Sequence, residues 1–87
     1  MDDKEKLSMM VTAYLLLIGS DGSSSGELYA RACEFGTSLY LHNVVLELMQ
    51  ELELAEVSDH WVELTEKGRE MVAEEATNLN RIIAERN

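Results

Sequence analysis

Between Leu7 and Ile18 the chain is apolar almost all the way round a helix, and that limits what the other residues can build. Leu7, Met10, Val11, Tyr14, Leu15 and Ile18 fall at i, i+3, i+4, i+7, i+8 and i+11, the spacing of one helical face. Met9, Ala13, Leu16 and Leu17 carry the stripe well beyond that face. Such a helix must bury two sides, which predicts one side on its own core and the other against a partner subunit. A bilayer is no alternative, because the apolar run Met9 to Ile18 is far shorter than the roughly 20 residues of a spanning helix.

The stretch Gly19 to Gly26 (GSDGSSSG) reads as a loop, with Asp21-Gly22 as its turn dipeptide. A glycine-rich loop before a helix is one way to cradle phosphate, but no Gly-Lys-Ser/Thr follows it. Ser24 and Glu27 have the S-x-x-E spacing of a capping box. They predict a second helix from about Ser25 to Phe35, with Leu28, Ala32 and Phe35 toward the core. Gly36 stands where a helix-ending glycine is expected, and Thr37 or Ser38 can cap the next helix. That third helix runs to about Glu53. Its predicted buried stripe is Leu41, Val44, Val45, Leu48 and Leu52, flanked by Leu39, Leu46 and Met49. Tyr40, Asn43, Glu47, Gln50 and Glu51 are left as the outward face. Helix, glycine, short turn, helix is a helix-turn-helix arrangement.

Leu54 to Asp59 and Trp61 to Leu64 read as two short strands about a tight turn at Asp59-His60. Glu56 and Glu63 point to water in this reading, and Trp61 is expected in the core against the third helix, with an exposed anchor for a partner as the alternative. Thr65 then caps a last helix through about Glu85, where Val72, Ala76, Leu79 and Ile83 recur at helical spacing and predict a dimer contact. The expected fold is mainly α with a small β-hairpin, in one domain over residues 1–87. Its parts are an N-terminal helix (1–18), a helix-turn-helix pair (24–53), a hairpin or wing (54–64) and a C-terminal helix (65–87).

The run from Leu48 to Val57 (LMQELELAEV), followed by Trp61 to Glu70 (WVELTEKGRE), resembles the wing region of winged helix-turn-helix transcriptional regulators. The step LTEKGRE from the last wing strand into a helix is similar to MarR-like and PadR-like regulators, and the resemblance covers roughly residues 7 to 72. It implies a dimer that lays its third helix in the DNA major groove, with the wing on the backbone or minor groove. Carried over, the DNA-facing residues are Ser38, Tyr40, Asn43 and Glu47, with Asp59 and His60 at the wing tip. Asn43 would read adenine, and Tyr40 or Ser38 would reach phosphate. Arg31, Lys67 and Arg69 would supply a basic phosphate patch.

Charge departs from that pattern. Seventeen acids against seven bases leave a net −10. From Thr37 to Glu63 there are six acids (Glu47, Glu51, Glu53, Glu56, Asp59 and Glu63) and no lysine or arginine. DNA readers put cations on this surface, because phosphate contacts supply much of the affinity. The glycine usual after the third helix is replaced by Glu53, and the wing turn is short.

Little else carries chemistry. His42 and His60 are the only histidines and Cys33 the only thiol, without the further ligands at metal spacing that zinc requires. His42 is expected as a satisfied helix histidine and Cys33 as a small core residue of the second helix. No catalytic site, metal or cofactor is predicted. A lone cysteine fits a reducing cytoplasm, and Met1 followed by Asp2, Asp3, Lys4, Glu5 and Lys6 does not read as a secretory leader. Two functions follow. One is a dimeric DNA-binding transcriptional regulator using Ser38, Tyr40, Asn43, Arg31, Lys67 and Arg69. The alternative is an acidic protein-interaction winged helix, a DNA mimic, inhibitor or assembly subunit, which meets a basic protein surface through Glu47, Glu51, Asp59 and Glu63. Acidity as general salt adaptation is a third, partner-free explanation.

Overall fold

The computed structural model describes residues 3–34 and 36–74. Its elements are α1 (Asp3–Ile18), β1 (Ser23–Ser24), α2 (Ser25–Cys33), α3 (Leu39–Glu51), β2 (Ala55–Ser58) and β3 (Trp61–Leu64). A further helix, α4, occupies 66–74. The protein is thus mainly helical, with a small antiparallel sheet in the order β1-β3-β2. No helix among the described residues is long and apolar enough to cross a membrane.

The predicted face of α1 is the one buried: Met10, Val11, Tyr14, Leu15 and Ile18 enter the core, with Leu7 packed at its edge. Leu28 and Ala32 meet them from α2, Val45 and Met49 from α3, and Val62 and Leu64 from β3. Full burial of a side chain of this size is worth about 1.5–3 kcal/mol, so this shared cluster holds the three helices and the sheet together. The opposite side of α1 is bare, with Met9 59% and Leu16 55% exposed.

The helix ends follow the sequence chemistry closely. Ser24 caps α2 by accepting from the Glu27 amide (3.2 Å), and Ser38 caps α3 by accepting from the Leu41 amide (3.1 Å). Gly36 has φ +89°, and the bonds Thr37 N–H to Ala32 O and Gly36 N–H to Cys33 O form the paired pattern of a Schellman end. The predicted core role of Phe35 lies outside the described residues.

Three expectations about facing are corrected. The buried stripe of α3 is His42, Val45, Leu46 and Met49, rotated by roughly a quarter turn from the leucine-rich line. Leu41, Val44 and Leu48 are half-buried, while Leu39 and Leu52 are exposed. The neighbours decide this, because the core needs His42 against Tyr14. Cys33 is exposed, not core, since the buried pair on α2 is Leu28 and Ala32 and Cys33 falls beside that line. Trp61 is 44% exposed, not core. Strand alternation puts Val62 and Leu64 inside, so Trp61 and Glu63 stand outside. The indole lies against Gly22 and donates to Glu63 Oε1 at 2.9 Å. The segment expected to be all loop also contributes β1, whose Ser23 and Ser24 pair with Val62 and Trp61.

Candidate binding surface on α3 and the hairpin

The outward face of α3 is where the sequence placed it. Tyr40 is 79% exposed, and Asn43, Glu47, Gln50 and Glu51 are exposed with it. Ser38 is less available, because its hydroxyl is held as the α3 cap. At the far end of α3 the chain turns through Glu53 at φ +62°, with Leu54 N–H bonded to Met49 O (2.8 Å) and Glu53 N–H to Gln50 O (3.0 Å). This is the same Schellman pattern, with glutamate in the left-handed position that usually takes glycine.

The LTEKG step completes that corner. Leu64 is buried, and the Thr65 hydroxyl donates to Glu53 O (2.6 Å) while accepting from the Gly68 amide (3.1 Å). Lys67 Nζ donates to Leu52 O at 3.1 Å, covering an open carbonyl at the α3 C-terminus. A Cβ on Gly68 would overlap the Leu54 carbonyl oxygen. Each of these residues has a structural task, and the exposed Lys67 side chain is bonded to the outside of the corner.

Around this corner lies a shallow depression of about 400 Å³ lined by Gln50, Glu53, Ala55, Glu56, Thr65, Glu66 and Lys67. It continues the acidic run of α3 onto β2 and α4. Glu56 also sits opposite Glu63 in the β2–β3 register, with both carboxylates exposed. Like charges directly opposite are unfavourable in a sheet, so this surface keeps its sign at a cost in stability. Asp59, at φ +53°, and His60 form the two-residue turn at the hairpin tip and are exposed. Glu53 and Glu56 belong to the acidic run that the sequence shows between Glu47 and Glu63, and Glu66 joins them from α4. Their convergence depends on the fold-back at Glu53, which has no glycine to announce it.

Arg31 and Arg69, unlike Lys67, do not line the depression. Arg31 pairs with Glu27 across one turn of α2 at 3.4 Å, both side chains half or more exposed, so the pair adds little stability. Arg69 is exposed on α4. Val72 is half-buried against the domain's own core, while Ala76, Leu79 and Ile83 lie outside the described residues. An open apolar cleft of about 320 Å³ separates α1 from the end of α3, with Leu7, Val11, Leu48, Leu52 and Met71 on its walls.

His42 is buried and satisfied, as expected, between Tyr14 and Ser25. Among the described residues, no group of three or more histidine, cysteine or acidic side chains is placed to hold a metal ion. Compared with known proteins, the chain matches no family model, no curated protein and no solved structure.

Proposed function

We propose that this chain is a non-enzymatic winged helix that binds a basic protein surface through the acidic outer face of α3 and its corner with β2. The order α1-β1-α2-α3-β2-β3-α4, with a β1-β3-β2 sheet, supports the winged-helix reading. The observation that carries the function is the sign of the exposed surface. Glu47 and Glu51 on α3 run into Glu53, Glu56 and Glu66 around one depression, and its sole cation among the described residues, Lys67, is bonded to a backbone carbonyl. Such a surface raises the local concentration of cationic partners and repels phosphate. A reducing cytoplasm suits the exposed lone thiol of Cys33, and a homodimer would cover the bare side of α1.

A second reading, the DNA-binding regulator, is favoured by Tyr40 and Asn43, which project from α3 where a recognition helix carries its base and phosphate contacts. One titration separates the two. The protein is titrated with mixed-sequence duplex DNA and with a lysine-rich polypeptide, each at low and near-physiological salt. The proposal expects no DNA binding at either salt. It also expects polypeptide binding that weakens more in a Glu47→Gln/Glu51→Gln variant than in Asp3→Asn/Glu70→Gln, which has the same net charge. Salt-sensitive DNA binding that is lost in Arg31→Ala or Arg69→Ala would replace it with the regulator. Equal weakening in both acid-removal variants would show attraction by net charge without a site.

A further inference from the structure

Three helices meet at one buried polar point. His42, in the first half of α3, is 3% exposed. The Tyr14 hydroxyl of α1 lies 2.8 Å from its Nδ1, and the Ser25 hydroxyl at the start of α2 lies 3.4 Å from its Nε2. The rings of Tyr14 and Tyr29 flank the imidazole at centroid distances of 5.6 and 5.1 Å. A leucine would fill a purely apolar contact there. Histidine instead ties α3 to both of its neighbours by directional bonds.

Those bonds depend on protonation. A neutral imidazole accepts at one nitrogen and donates at the other, which matches one hydroxyl giving and one receiving. A charged ring donates from both nitrogens, so the hydroxyl that donated to it must turn to accept, and the new charge needs a counter-ion. None faces it. The ionisable groups in contact with the ring are the phenol of Tyr14 on α1 and the phenol of Tyr29 on α2, with the Cys33 thiol beside Tyr29, while Lys4, Lys6, Glu27 and Arg31 on the same helices are exposed. No carboxylate, lysine or arginine among the described residues is bonded to the ring, and α3 presents its own acids to solvent. Burial lowers the His42 pKa from its ordinary value and raises that of Tyr14. Tyr29 is raised chiefly by its contact with Cys33. The cluster is therefore neutral at pH 7.

We propose that the Tyr14–His42–Ser25 cluster is a proton-operated latch, in which acidification charges His42 and releases the first half of α3 from α1 and α2. Tyr40 and Asn43 lie on either side of His42 in sequence, so release takes the outward face of α3 out of its working orientation. That consequence rests on reading the face as a binding surface. The latch itself is a property of the fold and is tested without a partner.

The sign follows from linkage. With its folded pKa below the unfolded value of about 6.5, His42 takes up its proton more readily in the unfolded chain. Stability is full above that pH, falls as pH drops toward the folded pKa, and levels off below it. The unfolding equilibrium constant should rise about tenfold per pH unit across that window. Denaturant unfolding of the full chain is measured from pH 8 to 5, together with the imidazole NMR titrations of His42 and His60 and amide exchange at both ends of the range. Wild type and His60→Gln should share the rise, His42→Gln should be flat, and α3 amides should lose protection before those of β2 and β3. A His42 ring that titrates in the folded protein at or above 6.5 overturns the latch. So does an equal slope in His42→Gln, or protection lost uniformly across the molecule. If His42→Gln does not fold, the wild-type ring titration and exchange pattern decide alone.

Discussion

Substituting alanine at two helical glycines should give opposite signs, and the structure fixes both. Gly68 sits in the first turn of α4, where a Cβ would overlap the Leu54 carbonyl oxygen and approach the Leu64 side chain. The obstructing atom is backbone, so no rotamer change relieves it. Making room moves Leu54 O away from the Thr65 amide that it accepts (3.0 Å), and it pulls the Gly68 amide from the Thr65 cap (3.1 Å). Forced overpacking costs about 1–3 kcal/mol, and a weakened cap and backbone bond about 1 kcal/mol each. A net loss of about 3 kcal/mol is expected after the small helix-propensity gain of alanine. Gly26, in the first turn of α2, has ordinary helical φ and nothing within 4 Å of the added Cβ. Gly26→Ala should therefore stabilise by about 0.5–1 kcal/mol, mainly by restricting the unfolded chain. Thermal and urea unfolding of the two variants beside wild type reads the difference. At about 4–8 °C per kcal/mol for a domain of this size, Gly68→Ala should melt at least 10 °C lower and Gly26→Ala a few degrees higher. An unchanged or raised melting temperature for Gly68→Ala would refute the close approach, and with it the account of the corner.

Two further outcomes follow from the same geometry. Glu53→Gly should stabilise by about 0.5–1 kcal/mol in urea unfolding, because a left-handed non-glycine costs about 1–2 kcal/mol and the added freedom of glycine in the unfolded chain returns part of it; a loss of stability would mean that the Glu53 side chain does more than occupy the turn. Leu16→Glu should convert a micromolar dimer to monomer in sedimentation equilibrium with no change in melting of the monomer, since Leu16 faces away from the core; a monomeric wild type would end the dimer expectation.

Local signals in the sequence were good guides wherever a single side chain decides the backbone. Ser24, Ser38 and Gly36 each do what their type and position imply, because caps and left-handed turns are satisfied within a few residues. The buried face of α1 was legible because its stripe is long and regular. The misses have a common cause, in that the partner of the residue lies far along the chain. Ser23 and Ser24 become a strand only by pairing with β3, and two residues have no period to read. The apolar spacing of α3 points to the line of Leu41, Val44, Val45, Leu48 and Leu52, yet His42 turns inward to meet Tyr14, twenty-eight residues earlier. Trp61 is expected in the core as a tryptophan in a wing strand, but strand alternation puts Val62 and Leu64 inside and leaves Trp61 out. On the candidate surface, Tyr40, Asn43, Glu47 and Glu51 were legible as the polar side of α3. Glu66 was not, because it joins them only through the fold-back at Glu53.

The segment that most resembles DNA-binding regulators is also the segment least able to say whether this chain binds DNA. Leu64 is core, Thr65 caps α4 and grips Glu53, Lys67 covers the α3 C-terminus, and Gly68 admits the Leu54 carbonyl. Any protein that turns a helix into a hairpin and out again at this angle needs such residues, whatever it binds, so the motif speaks for the scaffold alone. What a partner meets is the remainder: Tyr40, Asn43, Glu47, Gln50 and Glu51 on α3, then Glu53, Glu56 and Glu66. Phosphate affinity grows with the number of cations that reach the backbone, and this remainder contains none. Arg31 and Arg69 would have to carry the attraction against five glutamates nearer the groove. The sign of the exposed face, and not the motif beneath it, is therefore the reason to look for a cationic protein as the partner.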